Sequence, residues 1–184
     1  MITQQELTSI FHYNKRTGVF THKLKKYNWR DKKEVGHEIT DSRRKTSYLR
    51  TRINGKDYLL HRLAWLYVYG ELPEIIDHKD GNGLNNKISN LRASTQQENN
   101  RNVRCQERNK TGVKNVIQEK GSNKFRVSFT VKKDGDKSKT VSFGKFDTIE
   151  EASFVAKNAR SALHGDFANH KKAKNTIKQP KKKR

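Results

Sequence analysis

The spacing of apolar residues changes period several times along the chain, and each change marks an element. Thr3-x-x-Glu6 is a capping box, and Leu7, Ile10 and Phe11 after it fall on one helical face. Asn14 to Gly18 reads as a turn and Val19-Phe20-Thr21 as the start of a strand. Residues 23–45 are charged and weakly patterned, a mixture of loop and short strand. Alternation then sharpens. Tyr48 to Ile53 runs into Asn54-Gly55, the strongest short hairpin signal, and Lys56 to Leu60 alternates back. One face of this hairpin carries Tyr48, Arg50 and Arg52, either a surface for a phosphate backbone or a solvated outer face. His61 to Tyr69 is apolar nearly all round and stops at Gly70, with Pro73 beyond. That pattern predicts a buried helix with Trp65, Tyr67 and Tyr69 in the core. Ile75-Ile76 is a short buried strand that ends in Asp77-His78. Ser94-x-x-Gln97 and Thr95-x-x-Glu98 compete to start a helix over about Gln96 to Val103, with Asn99 in its first turns.

From Thr111 the pattern turns to strands: Gly112 to Glu119, Lys124 to Lys132 and Lys139 to Phe146. Turns at Lys120-Gly121-Ser122-Asn123 and Asp134-Gly135-Asp136 join them. The middle strand puts Phe125, Val127, Phe129 and Val131 on one side and Lys124, Arg126, Ser128, Thr130 and Lys132 on the other. Thr148-x-x-Glu151 then caps a helix with a stripe of Ala152, Val155, Ala156, Ala159 and Leu163, stopping at His164-Gly165. The stripe is expected to cover the apolar sheet face and leave the basic face open. Lys171 to Arg184 is lysine-rich, holds Pro180, and is too polar to bury anything, which predicts a disordered basic tail.

Composition narrows the function classes. Across 184 residues, 31% hydrophobic against 33% charged is thin for one large core and favours several small modules. A formal net charge of +22 points to a polyanionic partner, nucleic acid first and an anionic membrane surface second. No long apolar run is present, so no membrane span is expected, and MITQQELTSIF lacks the pattern of a secretory signal. Cys105 is the single cysteine, which excludes an internal disulfide and any site of several thiolates, and suits a reducing, intracellular setting.

The chemistry gathers at Asp77-His78. Successive residues of a strand project to opposite sides, so one of the two can bind a cation while the other faces an attacking water. Phosphodiester hydrolysis needs an activated water, charge stabilisation on the phosphate and a stabilised leaving oxygen. Histidine is the natural base near neutral pH. A carboxylate with an amide carbonyl suits Mg²⁺ or Mn²⁺ rather than zinc. Spacing alone leaves a purely structural role open, because Asp-His dipeptides are common. Asp80-Gly81-Asn82-Gly83 fails the EF-hand spacing and reads as a turn. His61 is either a group behind the site or a satisfied histidine at a helix start; His12, His22, His37, His164 and His170 read as surface or loop residues. Arg92 and Lys79 either grip the scissile phosphate or are solvated.

Asp77-His78, Asn90 in Asn90-Leu91-Arg92, and Asn99 in Gln97-Glu98-Asn99-Asn100 resemble the signature of HNH endonucleases, most closely the homing-type enzymes of phages and their introns. His61-Arg62-Leu63-Ala64-Trp65, Gly70, Pro73 and Asp80-Gly81-Asn82 fit the same resemblance. It implies a ββα-metal (His-Me finger) site in which Asp77 and Asn99 hold one divalent cation and His78 is the general base. Asn90 would orient His78 or brace the loop, and the products would carry a 5′-phosphate and a 3′-hydroxyl. Many relatives end the motif in histidine where this chain has Asn99, and one cysteine cannot supply the four-cysteine structural zinc of some.

A second resemblance covers Lys110 to His170: Gly112-Val113, the three strands, Gly144-Lys145-Phe146-Asp147 and Ala162 to Ala168 are similar to the Apetala/ethylene-response-factor DNA-binding domain. It implies DNA contact by Lys114, Lys124, Arg126, Lys132 and Lys139, with Arg50, Arg52 and Arg92 added by the first module. Phe125 replaces the usual Trp of plant members, and lysines replace several arginines, which reads sequence less sharply. The expected fold class is α+β. The expected domains are a β-rich region at 1–55, a nuclease module at 56–105, a three-stranded antiparallel sheet packed on one helix at 106–170, and a tail at 171–184. The expected function is a monomeric, Mg²⁺- or Mn²⁺-dependent endonuclease that nicks double-stranded DNA in the cytoplasm of a bacterial or phage-infected cell. Two other classes remain: a DNA-binding or regulatory protein with a degenerate nuclease site, and an RNA-binding basic protein, which no single-strand stacking signature supports.

Overall fold

The computed structural model of the chain describes residues 2–23, 34–41, 46–103, 105, 108–131 and 138–171. The chain divides into two compact units, Met1–Asn99 and Asn100–Arg184.

In the N-terminal unit, α1 (Gln4–Ile10) is capped as its sequence indicates: Glu6 N–H donates to Thr3 Oγ1 at 3.2 Å and Thr3 N–H donates to Glu6 Oε2 at 2.8 Å. The helix stops before Phe11, which opens β1 (Phe11–Asn14) and pairs with β2 (Val19–His22). Phe11 stays buried because the first inward position of the strand takes over from the helical face. β3 (His37–Asp41), β4 (Thr46–Ile53) and β5 (Lys56–Leu59) form an antiparallel sheet in the order β3-β4-β5. The β4–β5 turn holds Asn54 and Gly55 at φ 48° and 78°, the doubly left-handed geometry that matches strand twist and that Asn-Gly favours.

α2 (Leu60–Tyr69) ends at Gly70, whose left-handed φ of 79° lets its N–H reach Leu66 O at 2.9 Å. Tyr67 packs edge-on against Tyr13 and Phe20, as a core residue should. Tyr69 does not: it is 54% exposed and lies on Trp65 at 4.5 Å, because the far side of α2 faces outward. β6 (Ile75–His78) and β7 (Leu91–Ser94) pair antiparallel, a one-turn 3₁₀ helix at Ile88–Asn90 precedes β7, and α3 (Gln96–Arg101) follows it. Thr95 provides the cap, with Glu98 N–H on Thr95 Oγ1 at 3.3 Å and Thr95 N–H on Glu98 Oε2 at 2.8 Å, and α3 is two residues shorter than its pattern allows. One core runs through the unit from Ile2, Leu7, Phe11 and Phe20 to Leu60, Leu63, Ile76 and Leu91, so the sequence-based boundary near residue 55 falls inside it.

In the C-terminal unit, β8 (Val116–Gln118), β9 (Phe125–Val131) and β10 (Lys139–Phe146) form an antiparallel sheet in the order β10-β9-β8. α4 (Ile149–His164) starts at Thr148, whose Oγ1 accepts from Glu151 N–H at 3.3 Å. Ala152, Ala156 and Ala159 of α4 share a core with Val116, Val127 and Phe129. Leu163, at the C-terminal end of the helix, falls outside this core and is 38% exposed. β8 begins later than expected because Thr111 Oγ1 donates to Val116 O at 3.0 Å and Asn109 Nδ2 to Val113 O at 2.9 Å, which curl residues 109–115 into a turn. Lys132, the Asp134-Gly135-Asp136 turn and the tail beyond Lys171 lie outside the described residues. No helix among the described residues is long and apolar enough to cross a membrane.

Candidate active site

The β6–β7 register sets the geometry. It pairs Asp77 with Arg92 and His78 with Leu91, and directly opposed residues of an antiparallel pair project to the same face. Arg92 therefore reaches Asp77, and its Nε and Nη2 both donate to Asp77 Oδ2, at 2.8 and 2.6 Å. The pair is well buried, with side chains 6% (Asp77) and 13% (Arg92) exposed. His78, one residue on, points the other way and is buried as well.

His78 Nε2 lies 3.3 Å from Asn86 Oδ1. An amide oxygen only accepts, so the proton sits on Nε2 and the lone pair on Nδ1. Burial lowers the pKa of His78 from the ordinary imidazole value, opposed by the Asn86 bond and by the nearby Asp80 and Asp77 carboxylates. The His61 ring meets His78 edge-on at 5.0 Å, and Tyr48 lies 5.6 Å from His61 and 6.1 Å from His78. Burial, then the His78 and Arg62 charges, pushes the pKa of His61 down to about 3. Buried without hydrogen-bond partners are His61 Nδ1 and Asn86 Nδ2.

The loop between the strands is built on amides. Asn90 Nδ2 donates to Asp80 Oδ1 at 3.0 Å and to Asn85 O at 2.8 Å, while its Oδ1 accepts from Asp80 N–H at 3.1 Å. Asn85 Nδ2 donates to Asp80 Oδ2 at 2.7 Å. Of the two roles open to Asn90 in the sequence, these contacts are those of a loop brace, and Asn86 is the residue on His78. Gly83 lets the loop lie against β4: a Cβ there would stand 2.3 Å from Ser47 O and 2.7 Å from the Tyr48 ring. Asn99 sits in α3, the element after β7, with its N–H on Thr95 O at 3.0 Å. No group of three His, Cys, Asp or Glu side chains positioned to hold a metal occurs among the described residues.

The profile of HNH endonucleases matches residues 58–101, from the end of β5 through α3. Protein 3.8 of Escherichia phage T7 is 31% identical over 110 residues, covering 59% of this chain and 86% of that protein. The chain carries an HNH endonuclease domain at residues 58–101. No solved structure matches it. HNH nucleases generally use a divalent metal ion.

The basic candidates fall in several places along the chain. Tyr48, Arg50 and Arg52 alternate on one face of β4, so the face with the two arginines also carries the tyrosine that touches His61 and His78. Arg50 pairs with Asp57 at 3.2 Å. In the C-terminal unit, Lys124 and Arg126 are exposed and pair with Asp147 at 3.3 Å and Glu119 at 3.8 Å. Lys139 is registered against Val131, on the side that faces α4. Lys114 precedes β8, and its ammonium is held by the carbonyls of Arg101 and Val103 at 2.8 and 2.5 Å. Sequence reasoning missed Asn86 and the second role of Tyr48. The Asn85-Asn86 doublet just before the motif's Asn90 was the available signal for the first.

Proposed function

We propose that the chain is a divalent-metal-dependent endonuclease that hydrolyses one phosphodiester of double-stranded DNA per active site. Support comes chiefly from the buried His78, oriented through Nε2 by Asn86 Oδ1 beside the buried carboxylate of Asp77. In this role His78 Nδ1 takes a proton from the attacking water, whose oxygen bonds to phosphorus as the P–O3′ bond breaks. The proton returns to the departing oxygen, leaving a 5′-phosphate and a 3′-hydroxyl. Asp77 and Asn99 would hold the ion, and one carboxylate with one amide oxygen fits a hard cation such as Mg²⁺ or Mn²⁺. When bound, the ion supplies charge stabilisation at the phosphate and leaving oxygen. Arg92 fixes the Asp77 carboxylate, and Asn90 keeps the loop closed around Asp80.

Arg50 and Arg52 would lead a duplex along β4 towards Tyr48 and His78. The outer face of the second sheet, with Lys124 and Arg126 beside Ser128 and Thr130, would add DNA affinity in the manner of the Apetala-like domain it resembles. A monomer with one site nicks, and a homing-type target is long and tolerant of mismatches. The enzyme would act inside a bacterial or phage-infected cell.

A second function, DNA binding without cleavage, is favoured by one observation: two Arg92 nitrogens already neutralise Asp77 Oδ2. Supercoiled plasmid with Mg²⁺ separates the two. Nicked circles with ligatable 5′-phosphates from wild type, reduced about 10²- to 10⁴-fold by His78→Ala, support the nuclease. Nicks from neither protein support the binder, and equal nicking by both removes His78 from the mechanism.

A further inference from the structure

Basic side chains of the C-terminal unit converge where, among the described residues, no carboxylate meets them. Arg160 is 3% exposed, and its guanidinium donates to Asn115 Oδ1 at 3.2 Å, Lys114 O at 2.5 Å and His170 Nδ1 at 2.9 Å. Each of these acceptors is uncharged. Because His170 Nδ1 accepts, its ring proton lies on Nε2, which faces Ser161 Oγ at 3.3 Å, so this imidazole adds no charge. Burial and the Arg160, Lys157 and Lys114 charges keep the pKa of His170 low, in line with a neutral ring. Among the described residues Lys114 donates to the two carbonyls named above, and burial raises the pKa of the neighbouring Cys105 thiol, which stays neutral. Among the described residues no carboxylate pairs with Lys114, Lys157 or Arg160. Buried cations in proteins are ordinarily paired, because desolvation is costly unless an opposite charge offsets it.

A cavity of about 190 Å³ opens at this place, lined by Val113, Lys114, Ser153, Lys157, Arg160 and His170. Ser153, Lys157 and Arg160 stand at i, i+4 and i+7 of α4 and so share one helical face. We propose that this cavity binds a phosphate-type oxyanion, held by the charges of Arg160, Lys157 and Lys114 with the Ser153 hydroxyl as a further donor. Fork-shaped guanidinium donors and ammonium groups are the usual partners of such anions. The anion is either a backbone phosphate of bound DNA or a phosphate group free in solution. The site is distinct from the nuclease centre and does not depend on cleavage.

Full-length protein titrated with inorganic phosphate, at ionic strength held constant with chloride, tests this. The Arg160 Nε–H resonance and the thermal midpoint are followed. A saturable shift of that resonance and a midpoint raised above the chloride control are expected. Lys157→Gln, at an exposed position that leaves the core intact, should weaken phosphate binding on the order of tenfold, as loss of one charge-assisted bond does. Lys120→Gln, in a distant turn, should not change it. No saturable response beyond chloride overturns the proposal, as does wild-type phosphate affinity in both Lys157→Gln and Ser153→Ala. A DNA source is distinguished by a salt slope of duplex binding that falls by about one in Lys157→Gln and by DNA that blocks the phosphate shift. A solution source leaves the slope unchanged and lets phosphate bind the DNA complex as well.

Discussion

Mild acid should destabilise the N-terminal unit through His61. The folded chain holds this imidazole neutral down to about pH 3, whereas in the unfolded chain it titrates at its ordinary 6.5. The unfolded state therefore takes up a proton, as pH falls below 6.5, that the folded state refuses until about 3. Stability is complete above 6.5 and is lost progressively towards 3. Linkage gives a loss of about 2 kcal/mol at pH 5 and almost none at pH 7.5. His78, also lowered by burial, adds to the loss with the same sign, so the diagnostic quantity is a difference between proteins. His61→Phe keeps an aromatic ring against Tyr48 and His78 and removes the buried, unpartnered Nδ1. Urea unfolding at pH 7.5 and 5.0 can be followed by tryptophan fluorescence, since Trp65 lies on α2 of the N-terminal unit and the sequence holds no tryptophan after it. The variant should lose about 2 kcal/mol less than wild type between the two pH values. Equal losses would refute the assignment of His61 as a buried neutral base.

Three further outcomes follow from the site. Gly83→Ala should destabilise the N-terminal unit by about 1–3 kcal/mol in urea, because its Cβ collides with Ser47 O and the Tyr48 ring and the strand must move. Arg92→Ala removes the guanidinium that pairs with the buried Asp77 carboxylate and should cost about 3–5 kcal/mol in divalent-free buffer. Millimolar Mg²⁺ should recover part of that loss if Asp77 is a metal ligand, and a midpoint indifferent to Mg²⁺ would count against it. Asn86→Ala frees the His78 ring and should lower the kcat of plasmid nicking about tenfold or more while the DNA affinity stays at the wild-type value. A matching loss of DNA affinity would mean that Asn86 supports the fold rather than the base.

Local signals carried well from sequence to structure, and long-range ones did not. The Thr3 and Thr95 capping boxes, the Asn54-Gly55 hairpin and the two-faced strand at Phe125 to Val131 depend on residues a few positions apart, and each forms as its local chemistry dictates. Phe11 was ambiguous because an apolar residue at a helix–strand junction satisfies both periods. Tyr69 was misassigned because periodicity shows that a helix is apolar all round, not which side is left uncovered. The short strand ending in Asp77-His78 was legible. Its partners were not, since Arg92 arrives through strand register and Asn86 through a loop whose course no local pattern specifies. Lys114 looked like a surface cation because charge alone does not reveal that two carbonyls have enclosed it.

The single core of the first ninety-nine residues sets what can be cut or transplanted. Ile76 and Leu91, which anchor the two strands of the site, pack in a cluster furnished partly by Ile2, Leu7, Phe11 and Phe20, all upstream of the 58–101 segment. That segment is therefore no portable cassette. A fragment trimmed to it would be left with strands that have nothing to lie on, and a graft that keeps the candidate site folded has to carry the chain from its first helix onward.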